Sequence, residues 1–286
     1  MGDSLEQLDE RHEYTNCPIC SAAGKKVLYH LVAPYRVVTC TACGFHYMDP
    51  RLREEHMMEL YGDDSYFGSE TVGYVDYTMQ EQALRLTFRR FIKVMAAAGL
   101  TGGSLLEIGV GHGFFLDEAR AYFDYRVGTE MSRSAAVNAA KFADCVIHGG
   151  CSDLPADSRF DCIVMSQVLE HVYHPKAFIE RIMVNLNRGG RLLIITPDIG
   201  NFWRVLMRAS WPSFKVPEHV LFFNRYSLVG LLKQCGFREA RSLPYPHAFP
   251  LKLVAAKLNL TPPKRLEKLN IWLPHTSLAI CASNHV

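Results

Sequence analysis

The sequence contains no apolar run approaching the roughly 20 residues that cross a bilayer as a helix, so nothing in it reads as a transmembrane segment. It also has little net charge. Lys and Arg number 31 against 29 Asp and Glu, a formal balance of +2, and no Lys/Arg cluster concentrates the excess. A surface for nucleic acid needs such a cluster, so its absence argues against a nucleic-acid partner. The polar, acidic N-terminus (MGDSLEQLDERHE) lacks the apolar core of a signal peptide. The nine cysteines do not form a disulfide framework. Their number is odd, and Cys145, Cys151, Cys162, Cys235 and Cys281 are scattered along the chain. Together these absences point to a cytoplasmic protein with reduced thiols.

What is present fits a globular chain. Of 286 residues, 49% are hydrophobic and 21% charged, enough for one large domain and a small one. Four divisions follow from the pattern: a tail over 1–14, a cysteine-rich module over 15–50, a helical linker with N-terminal helices over 51–100, and an α/β domain over 101–286. In the linker, Leu84, Phe88, Phe91, Ile92 and Met95 recur at helical spacing, and Gly99 ends the stripe. From residue 104 short apolar runs alternate with helical stretches. Strands are expected at 104–108, 125–129, 144–147, 161–165, 191–196, 238–243 and 277–282, with helices at 114–122, 132–142, 175–187 and 226–235. Such alternation specifies a doubly wound, mostly parallel, seven-stranded sheet.

The first of these strands runs into Leu106-Glu-Ile-Gly-Val-Gly-His-Gly-Phe-Phe115. Gly109, Gly111 and Gly113 let the chain turn tightly off the strand and let a ligand approach the backbone. Glu130 lies about 20 residues on, at the end of the second strand, where a carboxylate can accept both hydroxyls of a ribose. The combination indicates a nucleoside-containing cofactor. The spacing is G-x-G-x-G rather than the G-x-G-x-x-G of dinucleotide sites, which argues against NAD.

At these residues the chain resembles the class I S-adenosylmethionine-dependent methyltransferases, over about 100–285, and the resemblance implies a Rossmann-like fold. Glu107 to Gly113 is similar to that family's first motif. Glu130-Met131 is similar to its ribose-binding acid and the apolar residue beside the adenine. Ser152-Asp153-Leu154-Pro155 resembles the adenine-edge motif, with Asp153 accepting from the adenine amino group. Phe160 to His171 resembles the fourth-strand motif, which implies that Gln167 borders the methionine moiety. Leu186-Asn-Arg-Gly-Gly190 resembles the turn before strand five, with Arg188 in place of the usual proline.

Cys17-Pro-Ile-Cys20 and Cys40-Thr-Ala-Cys43 are separated by 19 residues. Two C-x-x-C knuckles at this spacing can place four thiolates around Zn²⁺ as a zinc ribbon, and four protein ligands leave no open position for water, so the metal's role is structural. A redox pair, or a site that has lost its metal, is the alternative. A zinc ribbon ahead of a class I core resembles two groups: bacterial methyltransferases of sugars and small metabolites, and ribosomal-RNA guanine methyltransferases. Phe45-His-Tyr-Met-Asp-Pro-Arg51 and Pro217-Glu-His-Val-Leu-Phe-Phe223 are more similar to the first.

The expected activity is therefore methyl transfer to an oxygen, less readily a carbon or nitrogen, of a small-molecule acceptor. An RNA base methyltransferase and a non-catalytic cofactor-binding scaffold are the competing readings. Candidate bases are His171, at the end of the fourth-strand motif, and His219. A structural helix-start role is the alternative for His171. Residues 198–218 read either as a lid or as a helix packed on the core. Residues 247–275 form an insert with Leu251, Leu253, Val254 and Leu258 on one face. That face suits core packing or a homodimer contact, or else a lipid surface.

Overall fold

The computed structural model describes residues 9–32, 35–62, 77–257 and 261–283. No described helix is long and apolar enough to cross a membrane.

The cysteine-rich module is a small antiparallel sheet of β2 (Lys26–Val32), β3 (Tyr35–Cys40) and β4 (His46–Met48). Outside it, β1 (His12–Glu13) pairs with β5 (Arg51–Leu52). Helices α1 (Glu54–Gly62) and α2 (Tyr77–Ala97) follow. The expected stripe lies on α2, with Phe91, Ile92 and Met95 fully buried, and Gly99 closes that helix with φ +67°.

The α/β part begins with β6 (Ser104–Ile108), α3 (Phe114–Glu118), β7 (Tyr125–Glu130), α4 (Arg133–Ala139) and β8 (Cys145–His148). It continues through β9 (Phe160–Ser166), α5 (Pro175–Met183), β10 (Leu186–Pro197) and α6 (Phe202–Met207). After these come β11 (Leu221–Phe222), α7 (Arg225–Gln234), β12 (Glu239–Ser242), β13 (His247–Pro250), α8 (Leu251–Lys257), β14 (Asn270–Leu273) and β15 (Ser277–Ser283). The main sheet has seven strands in the order β12-β15-β10-β9-β6-β7-β8, and β15 runs antiparallel to both of its neighbours. All seven lie where the strand pattern was expected. The order reverses at β6, the switch point where doubly wound sheets open a ligand crevice.

Alternation along the strands sends neighbouring residues to opposite faces. Leu105, Cys162, Val164 and Leu193 pack with α2 and α3. Leu106, Ile163, Met165 and Leu192 pack on the other face with α5, α7 and residues of the cysteine module, among them Cys17, Cys40, Phe45 and Tyr47. The module thus shares its core with the sheet.

Several helices are shorter than the pattern suggested. The third ends at Glu118, the fourth at Ala139 and the fifth at Met183. The fifth stops because β10 already pairs at Leu186 with Phe160, before a register shift ahead of Arg191. Several elements carried no readable sequence signal, among them strand β2, the β13–β14 hairpin inside the insert, and β11. β11 leaves the α/β part and pairs antiparallel with β4 (Leu221 with Tyr47, Phe222 with His46). In the insert, Leu251, Leu253 and Val254 of α8 are half-buried; Leu258 lies outside the described residues. The 198–218 segment is mixed: Trp211 packs with Val37, Ile199 and Phe222, whereas Phe202, Val205 and Leu206 are exposed.

Candidate active site

A cleft opens over the C-terminal ends of β6, β7 and β9. Its floor is the glycine loop. Gly109 and Gly113 have φ of +71° and +81°, and a Cβ at these positions would lie 2.7 Å from Val168 Cγ2 and 2.8 Å from the Ala139 backbone. Glu130 is held by the loop it faces: Gly111 N–H donates to its Oε2 at 2.8 Å and Ser132 N–H to its Oε1 at 2.9 Å. Glu107 and Gln167 border the same cleft. Glu107 is buried, its Oε2 has no hydrogen-bond partner, and burial with the nearby Glu130 charge pushes its pKa well up. Gln167 adopts φ +57°, a strained conformation for a non-glycine residue, and its Nε2 is buried and unpartnered.

The other end of the cleft is assembled from distant segments. His171, Ser166, Tyr245 and His247 line it with Leu84 and Phe88 of α2. Tyr245 is hydrogen-bonded to Ser166. The Nδ1 of His247 is 2.9 Å from the Thr276 hydroxyl, its ring packs on Phe249, and burial lowers its pKa to about 4. Behind His171 stands His219, with ring centroids 4.7 Å apart and planes perpendicular. Burial, followed by the field of Lys215, lowers His171 to about 3; burial, His171 and Lys215 lower His219 as well. Glu170 is beside them, with Oε2 accepting from the Thr196 hydroxyl at 2.9 Å, and burial pushes it up to about 7.

This end is tied to the cysteine module by backbone bonds. Val220 N–H donates to Glu170 O, and Met48 N–H donates to Val220 O, each at 2.9 Å. Phe223 packs on Phe45 with ring centroids 5.1 Å apart. In the module, Cys17 Sγ is 3.6 Å from Cys43 Sγ, and Cys20 Sγ is 3.6 Å from Cys40 Sγ. All four sulfurs lie within 4.8 Å of one another, and all four cysteines are free. Zn–S bonds of about 2.3 Å in a tetrahedron separate sulfurs by about 3.8 Å, so four thiolates so grouped could form a zinc site. Both knuckles are closed by turns: Ser21 N–H donates to Cys17 O and Gly44 N–H to Cys40 O, each at 2.8 Å.

Comparison with known proteins decides the family. A family profile described as a methyltransferase domain matches residues 79–240, more than half of the chain. The chain belongs to this methyltransferase family. It is 30% identical over 141 residues to an uncharacterized protein of Methanocaldococcus jannaschii, a match covering 49% of this chain and 67% of that one. It is 26% identical over 159 residues to a probable S-adenosylmethionine-dependent methyltransferase of Mycolicibacterium smegmatis, covering 54% of this chain and 60% of the relative's length. Among solved structures, an Archaeoglobus fulgidus S-adenosylmethionine-dependent methyltransferase superimposes with TM-score 0.53 at 17% identity, covering 73% of this chain and all of that one. A Thermotoga maritima S-adenosylmethionine-dependent methyltransferase, described as a possible histamine N-methyltransferase, gives 0.52 at 20% identity, covering 72% and 92%. Burkholderia thailandensis 1,6-didemethyltoxoflavin-N1-methyltransferase gives 0.52 at 16% identity, covering 91% and 99%.

The residues of this methyltransferase fit S-adenosylmethionine. The cofactor is a cation with an ammonium and a carboxylate, and the cleft supplies a buried carboxylate oxygen on Glu107 and a buried amide N–H on Gln167, both without partners. Burying such groups unpaired costs about 1–3 kcal/mol each, so a ligand that meets them binds with that advantage. Gly109, Gly111, Glu130 and Met131 line the cleft, whereas Gly113 lies against the Ala139 backbone. Ser152, Asp153 and Leu154 do not line the cleft. The Asp153 carboxylate accepts from Gly150 N–H at 2.8 Å within its own turn, and Leu154 is buried in the core. Tyr245 and His247 escaped sequence reasoning, because no motif marks them and the hairpin that begins at His247 was not legible; Ser166 lies within the Phe160–His171 motif but was not singled out there.

Proposed function

We propose that this methyltransferase carries the methyl group of S-adenosylmethionine to an oxygen of a small metabolite or sugar. The observation that carries the acceptor class is the cleft wall. No Lys or Arg is among the described residues lining it; aromatic and aliphatic side chains alternate with Ser166, His171, Tyr245 and His247. A neutral, compact acceptor suits that wall, and a phosphate backbone does not. The cofactor supplies an electrophilic methyl carbon on a sulfonium. Glu107, Gly109, Gly111, Gly113, Glu130, Met131 and Gln167 would hold it. His171 would face the acceptor hydroxyl, with His219 packed behind it to position the ring. Methyl transfer would bond the acceptor oxygen to that carbon as the carbon–sulfur pair returns to sulfur, and the hydroxyl proton would pass by way of His171 to cleft water. The protein's task is to align the two reactants and exclude water. Cys17, Cys20, Cys40 and Cys43 hold a structural Zn²⁺.

Calorimetry with S-adenosylmethionine and its demethylated product tests the cofactor, and binding at micromolar levels is expected. A screen of cell extract with methyl-labelled cofactor tests the acceptor, and a labelled small molecule is expected. Label on RNA, with salt-dependent RNA retention, would replace this reading with an RNA methyltransferase. Cofactor binding with no labelled product would leave a scaffold. Metal analysis well below one zinc per chain would remove the zinc assignment.

A further inference from the structure

The polar cluster behind His171 has the make-up of a second metal site. Glu170, His171 and His219 each offer one ligand atom, and the three atoms lie within 4.8 Å of one another. Glu170 is 1% exposed, and while Thr196 occupies its Oε2, its Oε1 has no hydrogen-bond partner. A carboxylate oxygen buried in that way calls for a cation or a proton. His219 is also buried, and its Nδ1 lies 2.9 Å from the Ser213 carbonyl. A carbonyl can only accept, so the proton resides on Nδ1 and Nε2 carries the lone pair. Anchoring one ring nitrogen on a backbone carbonyl is how metal-ligating histidines are oriented. His171 stands perpendicular to His219 and forms part of the cleft wall, so the cluster adjoins the space assigned to the acceptor.

We propose that Glu170, His171 and His219 bind one divalent first-row transition-metal ion at the acceptor end of the cleft, separate from the four-cysteine cluster. Two imidazole nitrogens and one carboxylate oxygen suit Mn²⁺, Fe²⁺, Co²⁺ or Zn²⁺; Ca²⁺ prefers ligand sets made wholly of oxygen. Three protein ligands leave positions for water or an acceptor oxygen. An acceptor hydroxyl bound there loses its proton to cleft water more readily, and its oxygen then attacks the methyl carbon while the carbon–sulfur pair returns to sulfur. This step rests on the oxygen-acceptor reading above; the binding of the ion does not. Lys215 is the competing cation. Its ammonium lies 3.8 Å from Glu218, and its field reaches Glu170 and both histidines. If Lys215 is the resident partner of Glu170, no ion enters.

The test is Mn²⁺ titration of the purified full-length protein, followed by electron paramagnetic resonance. Mn²⁺ competes poorly for thiolates, so the cysteine cluster stays silent. The expected result is one bound Mn²⁺ per chain with spin-echo modulation from imidazole nitrogen. Glu170→Gln and His219→Asn should each weaken binding by about tenfold or more, the scale seen when a metal site loses a supporting group. Binding of the demethylated cofactor checks that each variant is folded; where one is not, the nitrogen modulation of the wild-type protein decides. No bound Mn²⁺, Mn²⁺ without nitrogen coupling, or binding indifferent to both substitutions would overturn the site. Failure of cofactor binding would instead sink the methyltransferase reading and leave the Mn²⁺ result standing.

Discussion

The two ends of the cleft are built in different ways. At the cofactor end, one loop and its neighbours do almost everything: Glu107 through Gly113 form the floor, and Glu130 is pinned by Gly111 and Ser132. At the acceptor end, Glu170, His219 and the Tyr245–His247 stretch come from three separate segments, and β11 connects the region to the cysteine module. The first end depends on backbone turns that short sequences specify. The second depends on a shared core and a borrowed strand, so it is exposed to damage far from the chemistry.

The sharpest way to break this comparison is to chelate the zinc proposed for the four cysteines or to substitute Cys40→Ser. A structural zinc site contributes roughly 10–16 kcal/mol of binding free energy, and without it the module would rest on the core it shares with the sheet alone. The expected outcome is loss of methyl transfer by about two orders of magnitude or more, with binding of the demethylated cofactor nearly unchanged. Hydrogen exchange should rise across 35–52 and 213–223 and remain low in β6 and β7. A parallel loss of cofactor binding would show that the two ends are not separable.

Next in size is Glu107→Gln, directed at the cofactor end alone. A hydrogen bond to a charged group is worth about 1.5–3 kcal/mol, so cofactor affinity should fall about 10–100-fold with zinc content unchanged. Calorimetry on the variant reads this directly. Gly113→Ala acts on the same end through strain. The added methyl meets the Ala139 backbone at 2.8 Å in a left-handed conformation, which should cost about 1–3 kcal/mol and lower the melting temperature.

The effect that is smallest at neutral pH belongs to His247 at the acceptor end. Burial lowers its folded pKa from 6.5 to about 4, so between these values the unfolded chain binds the proton and the folded one does not. Its contribution to stability is therefore present above about pH 6.5 and is lost as pH falls toward 4, at about 1.4 kcal/mol per pH unit for one proton. His247→Gln should remove one proton from the acid limb of a stability–pH curve. An unchanged slope would mean that His247 is hydrated in solution.

These contrasts explain what could be read in advance. Gly109, Gly113 and Glu130 were legible because a tight turn off a strand and a carboxylate at the next strand end leave marks within about 20 residues. His171 and His219 were each singled out by their motifs. Their perpendicular contact, and Glu170 beside them, were not, because 48 positions separate the two rings and no local rule links them. β11 has only two residues, too few for any periodicity, and it is the strand that joins the module to the site. The Ser152–Leu154 motif was read as cofactor-facing, whereas the fold turns its aspartate onto Gly150.

The chain's sequence alone determined the seven strands of the sheet, its glycine loop and the pairing of the cysteines into two knuckles. These follow from alternation, from the conformational freedom of glycine and from ligand spacing, all short-range properties. Only the tertiary structure decided which polar groups meet at the acceptor end and that the cysteine module supports them. Both depend on which distant residues share a core, and burying apolar surface is favourable without specifying which partners meet.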